Sequence, residues 1–206
     1  MSLMRRSIIA IGVVTSLAAC LSAGPVPAPA TRPADTSAVA SKNIVLRDID
    51  GVERHPLAGS EKGKGAVLFF IAHDCPISNS YAPEINRICA AYGGAGKFTF
   101  SIVHPYADLK VEEAKKHAKD FSLTAPVFID AKHVLCDRTG ATVTPSVAVV
   151  STDGKVLYLG RIDDKWAGYG KSRVEPTVRD LRTALDAILD GKPVPTARTD
   201  AIGCPI

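Results

Sequence analysis

The sequence predicts an α/β domain, a mixed central sheet covered by helices on both faces. Three observations carry that prediction. The first is the run Ala66-Val-Leu-Phe-Phe-Ile-Ala72, long enough and apolar enough for a strand buried on both faces. The second is the alternation of strand and helix signals that follows it, in the order βαβαβα. The third is the close, where Ser146–Val150 and Lys155–Gly160 flank Asp153-Gly154 as an antiparallel hairpin before a last helix.

The elements follow in order. Asn43–Leu46 and Val52–His55 flank Asp48-Ile-Asp50-Gly51, whose Asp-Gly pair signals a hairpin turn. After the buried strand, Pro76 to Tyr92 reads as one helix. Tyr81, Ile85, Ile88, Cys89 and Tyr92 fall three and four apart on one face, and Gly93-Gly94 stops it. Phe98–Val103 is a second buried strand, Val111–Phe121 a helix with a charged outer face, and Pro126–Ile129 a short strand. Lys132–Thr139 makes a brief helix closed by Gly140. Val174–Leu189 is the last helix, with Val178, Leu181, Leu185, Ile188 and Leu189 inward.

The chemistry concentrates at Cys75, which follows the first buried strand and precedes Pro76 at a helix start. Unpaired amides and the positive end of a helix favour a thiolate there, and a thiolate is the attacking form of cysteine. Cys89 lies fourteen residues further along the predicted helix, about 21 Å away at ~1.5 Å per residue, beyond disulfide reach. Cys204, in the proline-bearing tail Ala201-Ile-Gly-Cys-Pro-Ile206, is one candidate resolving thiol, or else a free terminal cysteine. Cys136 is the other candidate; it could instead tie down Cys204 or pack beside Leu135.

The N-terminus has two arginines, Arg5 and Arg6, before an apolar run from Ile8 to Leu17. That is a secretory signal, too short to span a membrane as a helix. Leu17-Ala-Ala-Cys20 resembles a bacterial lipoprotein processing box, which makes residues 1–20 the signal and Cys20 the lipid-bearing residue. An ordinary signal cut near Ala23 is the alternative. Both place the chain in the bacterial cell envelope on the periplasmic side, anchored by lipid or secreted, where disulfides persist.

Residues 21–42 form a Pro/Ala-rich linker, 43–192 a single globular domain, and 193–206 a tail. The formal charge of +4 loses Arg5 and Arg6 with the signal, leaving 23 basic against 21 acidic side chains. So even a balance gives no reason to expect nucleic acid. The membrane enters only through the lipid anchor.

The strand order, the Cys75-Pro76 junction and Thr144-Pro145 directly before a strand together resemble the thioredoxin-like fold, a three-layer sandwich. The closer likeness, over about Val45 to Leu189, is to the redoxin branch that includes alkyl hydroperoxide reductase and thiol-specific antioxidant (AhpC/TSA) proteins. The segment from Val111 to Ile129 resembles the insertion of that branch. The resemblance implies a site at Cys75, Pro76, Thr144 and Pro145, with the proline cis against the reactive cysteine. It implies a thiol-based oxidoreductase acting on peroxide or a protein disulfide, regenerated by a thiol donor and needing no cofactor.

Two positions depart from the pattern. Ser78 stands where thioredoxins carry a second cysteine, and Ala72 where peroxiredoxins carry Thr or Ser. Arg138 and Arg161 are candidates for the arginine that peroxiredoxins draw on. A copper(I)-binding protein using His73, Cys75 and His104 is an alternative on the same fold, as is a redox-inert scaffold. The segment Arg161–Arg173, rich in glycine and charge, reads either as a lid or as a plain exposed connection anchored by Trp166.

Overall fold

The computed structural model describes residues 44–60 and 62–206; the signal, Cys20 and the linker expected before them lie outside the described residues. The short β1 (Leu46–Arg47) and β2 (Glu53–Arg54) pair antiparallel. Their turn is held by the Asp48 carboxylate, which accepts from the amides of Asp50 and Val52. Then come β3 (Gly65–Phe70), α1 (Pro76–Ser80), α2 (Ala82–Tyr92), β4 (Phe98–His104), α3 (Val111–Asp120) and β5 (Val127–Ile129). Next are α4 (Val134–Thr139), β6 (Val143–Thr144), β7 (Ser146–Ser151) and β8 (Val156–Gly160). The chain ends with β9 (Trp166–Gly168), β10 (Lys171–Ser172), α5 (Asp180–Leu189) and β11 (Cys204–Pro205).

The central sheet has the order β5-β4-β3-β7-β8. β3, β4 and β5 run parallel, and β7 is antiparallel to both β3 and β8, the mixed sheet expected from the sequence. Alternate residues of β3 feed two cores. Val67 and Phe69, with Ile71 just past the strand end, face α1, α2, α3 and α5, with Tyr81, Ile85, Ile88, Ala114, Leu181 and Leu185. Ala66, Leu68 and Phe70 face the other side, where α4 supplies Leu135 and Cys136. Helices therefore cover both faces, as expected. The inserted α3 and β5 widen the sheet beyond β4.

Three elements differ from the sequence reading. The helix from Pro76 to Tyr92 is two helices broken at Tyr81. Pro83 lacks an N–H and its ring would crowd the carbonyl four residues back, so one continuous helix cannot pass through it. The last helix starts at Asp180 rather than Val174. Pro176 disfavours helical backbone at Glu175, and the Asp164 carboxylate takes the amides of Thr177 and Val178 at 2.7 and 2.9 Å. Val174 is consequently 96% exposed and Val178 is exposed as well, not inward. The helix expected from Lys132 starts at Val134, because His133 is left-handed (φ 54°) and Asp130 receives the amides of Leu135 and Cys136.

Candidate active site

Strand β3 delivers the chain to Cys75, which stands immediately before the first residue of α1 with Pro76 opening the helix. Its own carbonyl accepts from the Asn79 amide at 2.9 Å, so the sulfur is fixed by the start of the helix. Cys75 is only 3% exposed. It belongs to the core cluster, and the C-terminal tail packs against it: the Cys204 thiol donates to the Cys75 sulfur across 3.4 Å. The tail is not loose. β11 pairs antiparallel with β6, setting Cys204 opposite Thr144 and Pro205 opposite Val143. The Thr144–Pro145 bond is cis, and Pro145 leads into β7, which lies beside β3.

The two sulfurs are electrostatically unequal. Burial opposes ionisation of Cys75. The Ser78 amide, the Cys204 thiol, the Ser78 hydroxyl and the Ile77 amide outweigh it and hold the Cys75 thiol below its ordinary range. Cys204 moves the other way: its hydrogen bond to Cys75, burial, and the charges of Cys75 and Asp74 all keep it protonated. Of the two sulfurs, Cys75 is therefore the one favoured as thiolate and Cys204 the one favoured as the proton-bearing thiol.

Ser78 and Tyr106 were not singled out from the sequence as site residues. The Ser78 hydroxyl accepts from the Ala72 amide at 3.2 Å and stabilises the Cys75 sulfur. Its place three residues after the cysteine was the available signal. The Tyr106 hydroxyl lies 3.0 Å from the Thr144 hydroxyl and donates to the Pro205 carbonyl at 3.3 Å, with no sequence motif to announce it.

The remaining candidates lie elsewhere. Cys136 packs in the core on the opposite face of the sheet from Cys75, so it is not brought to the Cys75 sulfur, and burial with Asp130 nearby pushes its thiol up to about 12. Cys89 lines a separate cavity of about 490 Å³ with Phe98, Phe100 and Pro126, and burial raises its thiol to about 12. Arg161 is paired with Asp180 at 2.8 Å, and Arg138 donates to the Gly154 carbonyl; neither is among the main groups acting on Cys75.

The copper set does not assemble. Among the described residues no three His, Cys, Asp or Glu side chains converge as metal ligands. His104 is fully buried, with Nδ1 at 3.0 Å from the Ile71 carbonyl and its ring edge-on to His117, 5.1 Å between centroids. The His73 ring is 6.4 Å from that of His104. Among the described residues, no helix is long and apolar enough to cross a membrane.

A mixed sheet of this order, a cysteine at the first helix start and a cis-proline leading into the neighbouring strand define a thioredoxin-like protein. The redoxin family model matches residues 35–178, so the chain belongs to the Redoxin family. The match ends before the tail that carries Cys204.

Among solved structures, the chain is 25% identical to an uncharacterized conserved protein from Geobacillus kaustophilus, with a TM-score of 0.67 over 79% of this chain and 86% of that one. A hypothetical protein from Sinorhizobium meliloti gives 25% identity and a TM-score of 0.64 over 79% of this chain and 89% of that one. Mycobacterium tuberculosis DsbF, solved in mixed oxidized and reduced forms, shares the fold at 21% identity. Its TM-score is 0.52 over 72% of this chain and 97% of that one. No curated protein matches.

Proposed function

We propose that this redoxin is a thiol–disulfide oxidoreductase of the bacterial cell envelope, with Cys75 as nucleophile and Cys204 as resolving thiol. The observation that carries the reading is the 3.4 Å contact between the two sulfurs, one favoured as thiolate and the other as thiol. The Cys75 thiolate attacks one sulfur of a substrate disulfide; that S–S bond breaks and the first substrate thiolate leaves. Forming the mixed disulfide removes the charge on Cys75, and with it the main causes that kept Cys204 protonated. Cys204 then loses its proton to the leaving side and attacks the Cys75 sulfur, releasing the second substrate thiol. The substrate gains two electrons, the protein holds a Cys75–Cys204 disulfide, and an external thiol donor reduces it.

Disulfide exchange is favoured over peroxide reduction because Ala72 offers no hydroxyl where a peroxide would be oriented, and because Arg161 is committed to Asp180. The test is trapping. With a protein disulfide as substrate, Cys204→Ser should accumulate a mixed disulfide at Cys75 that the unaltered chain resolves and Cys75→Ser never forms. Turnover by Cys204→Ser at the unaltered rate would remove Cys204 from the cycle. Hydrogen peroxide should oxidise the Cys75 thiolate no faster than it oxidises the thiolate of free cysteine; a much faster rate per thiolate would favour the peroxidase reading.

The envelope location rests on the N-terminal signal and the lipoprotein-like box at Cys20. Metabolic labelling with palmitate, abolished by Cys20→Ala, checks the anchor; labelling that survives the substitution argues against it.

A further inference from the structure

The C-terminal tail is held at two places of very different character. At the first, residues 197–199 lie along the outer edge of β8. Leu159 donates to the Ala197 carbonyl at 3.0 Å, and Thr199 returns a bond to Leu159 at 3.2 Å. The Thr199 hydroxyl meets the Tyr158 hydroxyl at 2.7 Å and accepts from the Arg161 amide at 3.1 Å. Gly160 is required there, since a Cβ would stand 2.5 Å from the Thr199 carbonyl oxygen.

The second place is β6. Ile206 donates to the Thr142 carbonyl at 2.9 Å, and the Thr144 hydroxyl to the Cys204 carbonyl at 3.4 Å. Tyr106 donates to Pro205 and Tyr169, from the β9–β10 hairpin, to Gly203. Between the two places, Asp200 and Ala201 bridge a cavity of about 300 Å³ lined also by Gly140, Val143 and Gly160.

The second place is a strand-addition site filled from within. Among the described residues, β6 has β11 as its only strand partner. An exposed strand edge accepts an extended polypeptide through main-chain bonds, and side-chain pockets then set which sequence fits. Here the fit is sharp at one position. A Cβ on Gly203 would lie 1.9 Å from the Thr144 carbonyl oxygen, 2.7 Å from its carbon and 2.8 Å from Pro145 Cδ. The first two are backbone atoms and cannot step aside. Any strand that delivers a sulfur to Cys75 along this path must therefore carry glycine immediately before its cysteine.

We infer that residues 201–206 are a displaceable internal strand occupying the polypeptide-binding edge of the site. The external ligand class is an extended polypeptide segment with a glycine–cysteine step, entering antiparallel to β6 in place of the tail. The anchor at residues 197–199 keeps the displaced tail close, so Cys204 returns at high effective concentration to resolve the mixed disulfide. This inference rests on the proposed thiol exchange at Cys75 and adds what the site selects and what must leave first.

The test uses full-length Cys204→Ser, whose tail stays docked, and full-length Gly203→Val/Cys204→Ser, whose tail cannot. The probe is the hexapeptide Ala-Ile-Gly-Cys-Pro-Ile with its sulfur joined to thionitrobenzoate, compared with the same peptide carrying valine for glycine. Cys75 bonds to the peptide sulfur, the probe's S–S bond breaks, and coloured thionitrobenzoate leaves with the electron pair. The glycine peptide should modify the undocked variant at least tenfold faster than the docked one, and at least tenfold faster than the valine peptide does. Equal rates in the two variants, or no preference between peptides, would overturn the inference. Iodoacetamide alkylation of Cys75 against pH in the same samples reads the underlying reactivity separately. A Cys75 that titrates as an ordinary thiol sinks the proposed function, whereas a readily ionised Cys75 with indifferent peptide rates sinks the strand inference alone.

Discussion

Replacing Ser78 by alanine tests how the thiolate is held. The Ser78 hydroxyl stabilises the ionised Cys75 sulfur, inside a site where Cys75 is 3% and Ser78 1% exposed. A hydrogen bond to a charged group contributes about 1.5–3 kcal/mol. Since about 1.36 kcal/mol is a factor of ten, Ser78→Ala should cut the thiolate-to-thiol ratio of Cys75 roughly ten- to a hundredfold. The same substitution leaves the buried Ala72 amide without its acceptor, which costs about 1–3 kcal/mol of folding stability. Ser78→Thr keeps the hydroxyl and should restore much of both. The assay is the iodoacetamide alkylation rate of Cys75 against pH, read by mass spectrometry of reduced protein in the Cys204→Ser background, with a urea titration beside it. The alanine variant should shift the alkylation midpoint upward and lose stability together. An unmoved midpoint in a folded Ser78→Ala protein would refute the assignment of Ser78 as a support of the thiolate.

Other outcomes follow from the same structure. Burial first, then the neighbouring His117, drive the His104 pKa down to about 3, whereas an unfolded histidine titrates near 6.5. The unfolded chain thus takes up a proton that the folded chain refuses. Stability should be complete above about pH 6.5 and decline as pH falls towards 3, by at most about 1.4 kcal/mol per pH unit for this group. Urea midpoints between about pH 6.5 and 5 should show that slope, and His104→Gln should flatten it. With thiols raised to about 12, Cys89 and Cys136 should resist alkylation in the native protein while Cys75 reacts; timed alkylation with peptide mapping checks this. Glu84 of α2 accepts from Arg182 of α5 at 2.8 Å and from Arg87 at 2.7 Å. Glu84→Ala should therefore lower stability by about 1–3 kcal/mol in urea while leaving Cys75 reactivity unchanged.

The sequence revealed most where hydrophobic period and turn residues agree. The β3 run, the Asp153-Gly154 hairpin and the α5 residues Leu181, Leu185 and Ile188 all occupy the places their pattern predicts. Prolines and side-chain capture displaced the boundaries: Pro83 splits a helix whose apolar spacing is unbroken, and Asp164 diverts the amides that Val174–Val178 would have needed for a helix.

At the site, the strand end and the proline after it mark Cys75, the resemblance to the thioredoxin-like fold points to Thr144 and Pro145, and Cys204 stands only as one of two candidate resolving thiols. Their arrangement was not readable, because β11 is two residues long and pairs with a strand sixty residues earlier in the chain, which leaves no periodic trace. Cys136 looked equally available from its sequence position. With α4 it packs against Ala66, Leu68 and Phe70 on the other face of β3, a separation set by tertiary packing.

The central claim is that Cys75 and Cys204 are one redox pair. Equilibrating the full chain across a series of dithiol/disulfide buffers and mapping its peptides without reduction tests that claim most directly. A single two-electron transition yielding a Cys75–Cys204 linked peptide, lost equally in Cys75→Ser and Cys204→Ser, is the result expected. Oxidation that joins Cys75 to Cys136 or Cys89, or leaves Cys75 and Cys204 unlinked, would contradict it.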